Sequence, residues 1–293
     1  MITLSRRSLL ALLAAHVPAS AAPPDGLTVA LIGDRTGSAQ PGIYSRIFRE
    51  VKLLHPDFAV TIGDAIEGLN DAQAPAQWAA MQQLWSTASF PIYHTPGNHD
   101  IWNASSEALF EQRTGQPPQF AWTAQNALFI ILDNSRTEDL SPKQLQFLET
   151  TLRANAARSP KLVLFHRPFW IPFIGAGSGE FRLHQIAREH GVSHIFSGHG
   201  HQFVHLVKDG IHYTEIGSSG GSMDRGLRLG QSFRQGWFYH YLHLHIAKGQ
   251  VAVTVRELPP PHGRGRTFRM EDWTTAGPKF EPEDPASMAG SSL

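Results

Sequence analysis

The chain of 293 residues sets 25 lysines and arginines against 25 acids, and 41% of it is apolar. That balance excludes a field strong enough to draw nucleic acid or an anionic membrane surface, and it supports a sizeable core. The absence of cysteine removes disulfides and thiolate metal sites together, so any metal must be held by His, Asp, Glu or Asn, and 16 histidines make that the question to pursue.

Residues 1–21 have the layout of an export signal: paired Arg6 and Arg7, an apolar stretch from Leu9 to Val17, and small residues at Ala19, Ser20 and Ala21. The apolar stretch is shorter than the roughly 20 residues needed to span a bilayer. Ser5-Arg6-Arg7-Ser8-Leu9-Leu10 resembles the twin-arginine signal, which serves folded cargo; an ordinary secretory signal that carries Arg-Arg is the alternative. Either route implies a periplasmic or secreted protein that meets export machinery in transit. No other segment reads as transmembrane.

From Leu27 the pattern predicts strands at 27–33, 58–63, 90–94, 119–123, 127–133, 161–165 and 194–197, with helices at 44–54, 73–87, 104–114, 141–156 and 183–190 between them. Ser141, Pro142 and Gln144 make a helix start. After His201 the helices stop, and strands at 202–207, 211–216, 237–246 and 251–256 follow, the last two forming a hairpin about Lys248-Gly249. Strand–helix alternation completed by hairpins predicts an α/β architecture, two face-to-face sheets with helices outside. The domain is placed at 22–257, and the Pro-, Gly- and charge-rich segment 258–293 is expected to be a disordered or loosely draped tail. Two loops, 168–180 with its aromatics and glycines and 217–236 with its arginines, are candidates for substrate choice.

Five apolar runs end on oxygen or imidazole side chains: Asp34, Asp64, the Asn98-His99-Asp100 group, His166, and the His199/His201 pair. In open α/β sheets the C-terminal strand edge is where ligands bind. Asp, Asn and His without sulfur suit two hard or borderline cations, and Gly before Asp64, Asn98 and His199 permits tight turns into a shared cavity. Asp34 and Asp64 could instead cap the helices after them. His94, His194, His205, His212, His240, His243 and His245 read as structural or surface histidines on strands.

The ordered set GD, GD, GNHD, H, GHGH across residues 31–201 resembles the calcineurin-like metallophosphoesterase superfamily, which includes purple acid phosphatases and cyclic-nucleotide phosphodiesterases. The resemblance implies a two-sheet αββα sandwich and a dinuclear centre of Fe, Mn or Zn. It implies that Asp64 bridges both metals, that Asp34 and His201 serve the first, and that Asn98, His166 and His199 serve the second. It further implies His99 beside the leaving group with Asp100 orienting it, and in-line attack on phosphorus by a metal-bound hydroxide. The substrate class is then a small-molecule or lipid phosphate mono- or diester.

The pattern departs from the family at Thr36, which stands where Asp-x-His has its imidazole. Glu67, three residues past Asp64, is expected either to replace that histidine as a ligand or water holder, or to sit behind the ligands. Arg35 faces substrate phosphate or makes a salt bridge elsewhere, and Phe169 and Trp170 stack on a planar leaving group or belong to the core. A non-catalytic binding protein on the same fold is the rival reading.

Overall fold

The computed structural model describes residues 26–175, 179–223, 235–236 and 238–258, and the backbone of three short strands beyond them. In chain order the elements are β1 (Leu27–Ile32), α1 (Ile43–Leu54), β2 (Phe58–Thr61), α2 (Ala74–Trp85), β3 (Ile92–His94), α3 (Ala104–Thr114), β4 (Phe120–Ala124) and β5 (Ala127–Ile131). Next come α4 (Pro142–Ala154), β6 (Lys161–Leu164), α5 (Ile171–Gly175), α6 (Arg182–Glu189), β7 (His194–Ser197), β8 (Phe203–Lys208) and β9 (Ile211–Glu215). The chain continues through β10 (Gln235–Gly236), β11 (His240–Ala247), β12 (Gln250–Glu257), β13 (Thr267–Arg269), β14 (Trp273–Thr274) and β15 (Gly277–Pro278).

Period-two alternation sorts β1 into two faces. Leu27, Val29 and Leu31 enter an inter-sheet core with Phe58, Val60, Phe129, Leu162, Phe196, Leu242 and Leu244. Ala30 and Ile32 face the helices instead, against Tyr44, Ile47, Phe48 and Val51 of α1 and Trp78 of α2. On the far sheet Ile130, Val163 and Ile195 pack on Leu148 and Leu152 of α4 and Ile186 of α6. Three apolar layers between four layers of structure make the αββα sandwich. One sheet runs β13-β12-β11-β1-β2-β3 and the other β10-β8-β9-β7-β6-β5-β4. β1, β2 and β3 are parallel in the first; β5, β6, β7 and β9 are parallel in the second. Their C-terminal ends therefore gather at one edge.

Helix ends follow local chemistry. The Ser141 side chain accepts the Gln144 N–H, with Pro142 in the first turn of α4. Asn103 and Ser106 close a reciprocal cap on α3. Neither Asp34 nor Asp64 caps a helix: α1 begins after Gly42 and α2 after Gln73.

Three expectations change. The aromatic loop holds a short helix, α5, and Trp170 is fully buried in the helix-side core with its Nε1 donating to Ser197 Oγ at 3.1 Å. Phe169 packs beside it, so a stacking role for this pair is set aside. The tail is not wholly loose: Leu258 is buried, and β13 pairs antiparallel with β12. The segment expected to be an export signal, residues 224–234 of the arginine-bearing loop and most of the tail lie outside the described residues.

At strand ends, burial holds three histidines neutral. It pushes His94 down to about 3 and His240 to about 4; for His194 burial, reinforced by His212 and His205, gives about 3. A base depressed in the folded state contributes stability that is present above its unfolded pKa of about 6.5 and lost as pH falls through the folded value, at about 1.4 kcal/mol per unit of difference as an upper figure. The melting temperature is therefore expected to fall steadily from pH 6.5 toward pH 4, and the fall to be smaller for His194→Phe; thermal melts across that range measure both.

Candidate metal centre

The strand-edge site is built from backbone that cannot be relaxed. Asp64 follows Gly63 into a left-handed conformation, φ 54°, and the Gly97 backbone lies against it. A Cβ on Gly97 would overlap Asp64 Oδ1 and the Asp64 amide nitrogen, so only glycine permits the approach. In return the His99 N–H donates to Asp64 Oδ1 at 2.9 Å. A Cβ on Gly198 would likewise overlap Asp34 Oδ1, and the His199 N–H reaches the Asp34 carboxylate at 3.0 Å.

His166 ties the two sheets. Its Nδ1 donates to the Ile62 carbonyl at 2.7 Å, which leaves Nε2 to face Asp64 Oδ2 and Asn98 Oδ1, each at 3.2 Å. Asp64, His166 and His199 offer ligand atoms within 4.8 Å of one another. Burial works against charge on both Asp64 and His166, yet their attraction wins: Asp64 is held below the usual carboxylate range and His166 is raised. Burial, His166 and Arg167 push His199 down to about 4, which keeps its ring neutral and able to ligate.

Asp34 and His201 form the other half. His201 Nε2 lies 3.5 Å from Asp34 Oδ2, and its Nδ1 donates to the Ser222 carbonyl. Burial opposes charge on His201; Asp34 and that carbonyl overcome it and raise the ring to about 9. The Asp34 carbonyl accepts N–H groups of Ser219 and Gly221, so the start of the 217–236 loop straps this half in place. The donors of both halves are carboxylate and amide oxygen and imidazole nitrogen, converging in a buried cleft with ring tautomers fixed by backbone carbonyls. That set fits Fe, Mn or Zn.

Two site residues face partners the sequence does not name. The Glu67 carboxylate meets loop amides: its Oε1 accepts the Ala39 N–H at 2.8 Å and its Oε2 the Ser38 N–H at 3.3 Å. Burial would raise its pKa, but the Thr36 hydroxyl and those two amides lower it. The Thr36 Oγ1 is itself buried and within reach of that carboxylate without completing a full hydrogen bond. Glu67 thus closes the loop where the imidazole would stand. The Asp100 oxygens accept the N–H groups of Ala65, Ile66 and Gly97, and His99 Nδ1 lies 2.7 Å from the Glu67 carbonyl. Burial and the Asp64 charge raise the Asp100 carboxyl. Arg35 spends Nη1 on the Ala65 carbonyl at 3.1 Å, joining the two Gly-Asp loops.

Three contributors went unread in the sequence. Asn134, just past β5, accepts the N–H groups of both His166 and Arg167 at 3.0 Å; LDNS was a sixth apolar run ending on polar side chains and could have signalled it. Arg167 lies beside His199. Glu215 is fully buried beneath Gly200, where a Cβ would overlap its Oε1; burial and Asp34 raise its pKa well above the ordinary value, against the lowering pull of the Gln202 side chain and the Gly200 N–H.

Two substitutions separate these roles. Gly97→Ala is expected to displace Asp64 and lower bound metal at least tenfold in affinity. Glu67→Ala is expected to keep the metal content of the parent and to melt lower, since two loop amides lose their acceptor, at about 1–2 kcal/mol. Elemental analysis with a thermal melt reads both.

No curated protein matches the sequence. Among solved structures, the purple acid phosphatase PPD1 of yellow lupin superposes with a TM-score of 0.63 at 15% identity, over 83% of this chain and 53% of that one. This chain therefore spans about half the length of the lupin enzyme. GAP50 of Plasmodium, described as the anchor in the inner membrane complex, superposes with a TM-score of 0.62 at 17% identity, over 88% of this chain and 90% of that one. Both share the sandwich. Residues 27–203, more than half the chain and the segment that carries the whole strand-edge cluster, match the calcineurin-like phosphoesterase family, to which the chain belongs.

Proposed function

We propose that this chain is an exported hydrolase of phosphate mono- or diesters, working at the cluster of Asp34, Asp64, Asn98, His166, His199 and His201. The observation that carries the reading is the buried convergence of Asp64, Asn98, His166 and His199 at the sheet edge, with His99 fixed beside it. Membership of a family of metal-dependent phosphoesterases supports the reaction class. When bound, two metal ions supply Lewis acidity toward phosphoryl oxygens and acidify a water.

The chain's own groups do the rest. Asp64 Oδ1 holds the His99 backbone N–H and the Glu67 carbonyl holds the ring Nδ1, so backbone and imidazole are each fixed at one point and the ring presents Nε2. Protonated on both nitrogens, the ring would give its Nε2 proton to the departing ester oxygen and keep the Nδ1 proton on the Glu67 carbonyl. Asp100 fastens the loop that carries it to the Asp64 loop. Burial of the ligands excludes competing water and strengthens every charge interaction in the cleft.

Export rests on the residue pattern of 1–21. No helix among the described residues is long and apolar enough to cross a membrane. A periplasmic or extracellular small-molecule or lipid phosphate ester is the expected substrate.

One observation favours a second reading, a non-catalytic metal or phosphate-ligand binder: Thr36 and the Glu67 clamp fill the place of an imidazole. The likeness to GAP50, named as an anchor, adds to it. Metal analysis with turnover of a chromogenic phosphate monoester and diester, in Mn, Fe and Zn, decides between them. The hydrolase is expected to hold two metals per chain, to lose activity to a chelator, and to lose roughly 10²- to 10⁴-fold in kcat in His99→Ala with metal retained. Metal binding without turnover in any of the three establishes the binder.

A further inference from the structure

Arg167 follows His166 at the end of β6, and one side chain holds its backbone on both sides. Asn134 Oδ1 accepts its N–H at 3.0 Å and Asn134 Nδ2 donates to its carbonyl at 2.9 Å. From that fixed base the guanidinium reaches the metal cluster, with Nη1 3.5 Å from His199 Nε2. The same Nη1 lies 2.6 Å from Glu138 Oε1. Glu138 is 83% exposed while Arg167 is only 18% exposed, so the tether is a solvated carboxylate that gives way easily. Arg167 Nε is buried and has no partner.

The contact with His199 belongs to the metal-free chain. A neutral imidazole that ligates through Nε2 has no lone pair left there. One that ligates through Nδ1 carries its proton on Nε2. In both cases Nε2 stops accepting from a guanidinium. Filling the cluster therefore leaves Arg167 as a desolvated cation with unspent donors at the rim. Arg35, the other arginine next to a ligand, is committed to the Ala65 carbonyl.

We propose that Arg167 binds a non-bridging oxygen of the substrate phosphate and tilts the site toward phosphate monoesters over diesters. The inference rests on the phosphoesterase reading. A monoester presents a third anionic oxygen where a diester carries a neutral ester oxygen and a second organic group. A charge-assisted guanidinium contact gains from the first and little from the second.

The test compares the metal-loaded parent with Arg167→Gln and Arg167→Lys. The expected result for Arg167→Gln is a fall in kcat/KM of roughly 30-fold on a chromogenic monoester, at least tenfold more than the fall on a diester. Affinity for inorganic phosphate, measured by calorimetry, is expected to weaken tenfold or more, with metal content unchanged. Arg167→Lys, which keeps the charge but not the fork, is expected to fall between. Equal losses on both esters, unchanged phosphate affinity, or loss of metal from the variants overturns the proposal, the last two assigning Arg167 to Glu138 or His199 alone. If the parent hydrolyses neither ester with any metal, the phosphoesterase reading fails, and the calorimetric arm still decides whether Arg167 binds phosphate.

Discussion

Everything at the strand edge depends on how closely Gly97 comes to Asp64. The two sheets are held apart by side chains of the inter-sheet core, Phe58, Val60, Phe129 and Leu162 among them. The cluster needs them joined at one end. Removing a Cβ at Gly97 lets the β3 loop lie on the Asp64 backbone, and the Asp100 carboxyl then ties that loop to Ala65 and Ile66. Asp64 so placed reaches His166 of the other sheet, whose Nδ1 returns to Ile62 of the first. One missing methyl group thus propagates into a cross-sheet junction of Asp64, Asn98, His166 and His199.

The two halves of the cluster are stabilised differently. Around Asp64, Asn98 and His166 nearly every lone pair meets a donor, so that half is rigid and its charges are balanced within the protein. Around Asp34 and His201 the Thr36 hydroxyl completes no hydrogen bond, and Glu215 is a fully buried carboxyl next to the Asp34 charge. Buried polar groups without partners are rare in folded proteins and cost about 1–3 kcal/mol each. The Thr36 hydroxyl, where the sequence departs from its family, is one such group; others are spread through the fold, among them Thr95, Ser135 and the Arg167 Nε.

Much of this could be read from the residues. The αββα architecture followed from alternation, because the strands are buried on both faces and the helices carry one apolar stripe each, as Tyr44, Ile47, Phe48 and Val51 do. The positions of Asp34, Asp64, Asn98, His166, His199 and His201 followed from strand ends. What was lost concerned partners distant in sequence. Glu67 meets residues 28 and 29 positions away, and Asn134 meets residues 32 and 33 away; periodicity carries no information about such pairs. The partners of Asp100 were hidden for the same reason: adjacency to His99 suggested contact there, and the turn at 97–100 directs its carboxyl to the Gly97 N–H. Trp170 resembled a ligand platform in sequence and is core because Ser197 offers its indole a buried acceptor.

The backbone makes the case for function independently of any motif. Asp64, His199 and His201 all have positive φ, at 54°, 78° and 56°. A left-handed residue with a Cβ costs roughly 1–2 kcal/mol against glycine or a relaxed conformation. Elsewhere among the described residues, non-glycine positive φ is found in loops, turns and at a helix end, for example Ser38, Leu69, Gln125, Lys248 and His55, where exchange for glycine would relieve the backbone. In the cluster that exchange would delete the carboxylate or the imidazole. The strain at Asp64 is offset by its bonds to His99 and His166, and at His199 by the Asp34 carboxylate. A scaffold that served only to present its surface would gain by replacing all three with glycine. Three strained residues whose side chains serve the two adjoining halves of one strand-edge site mark side-chain chemistry as what the fold gives up stability to keep.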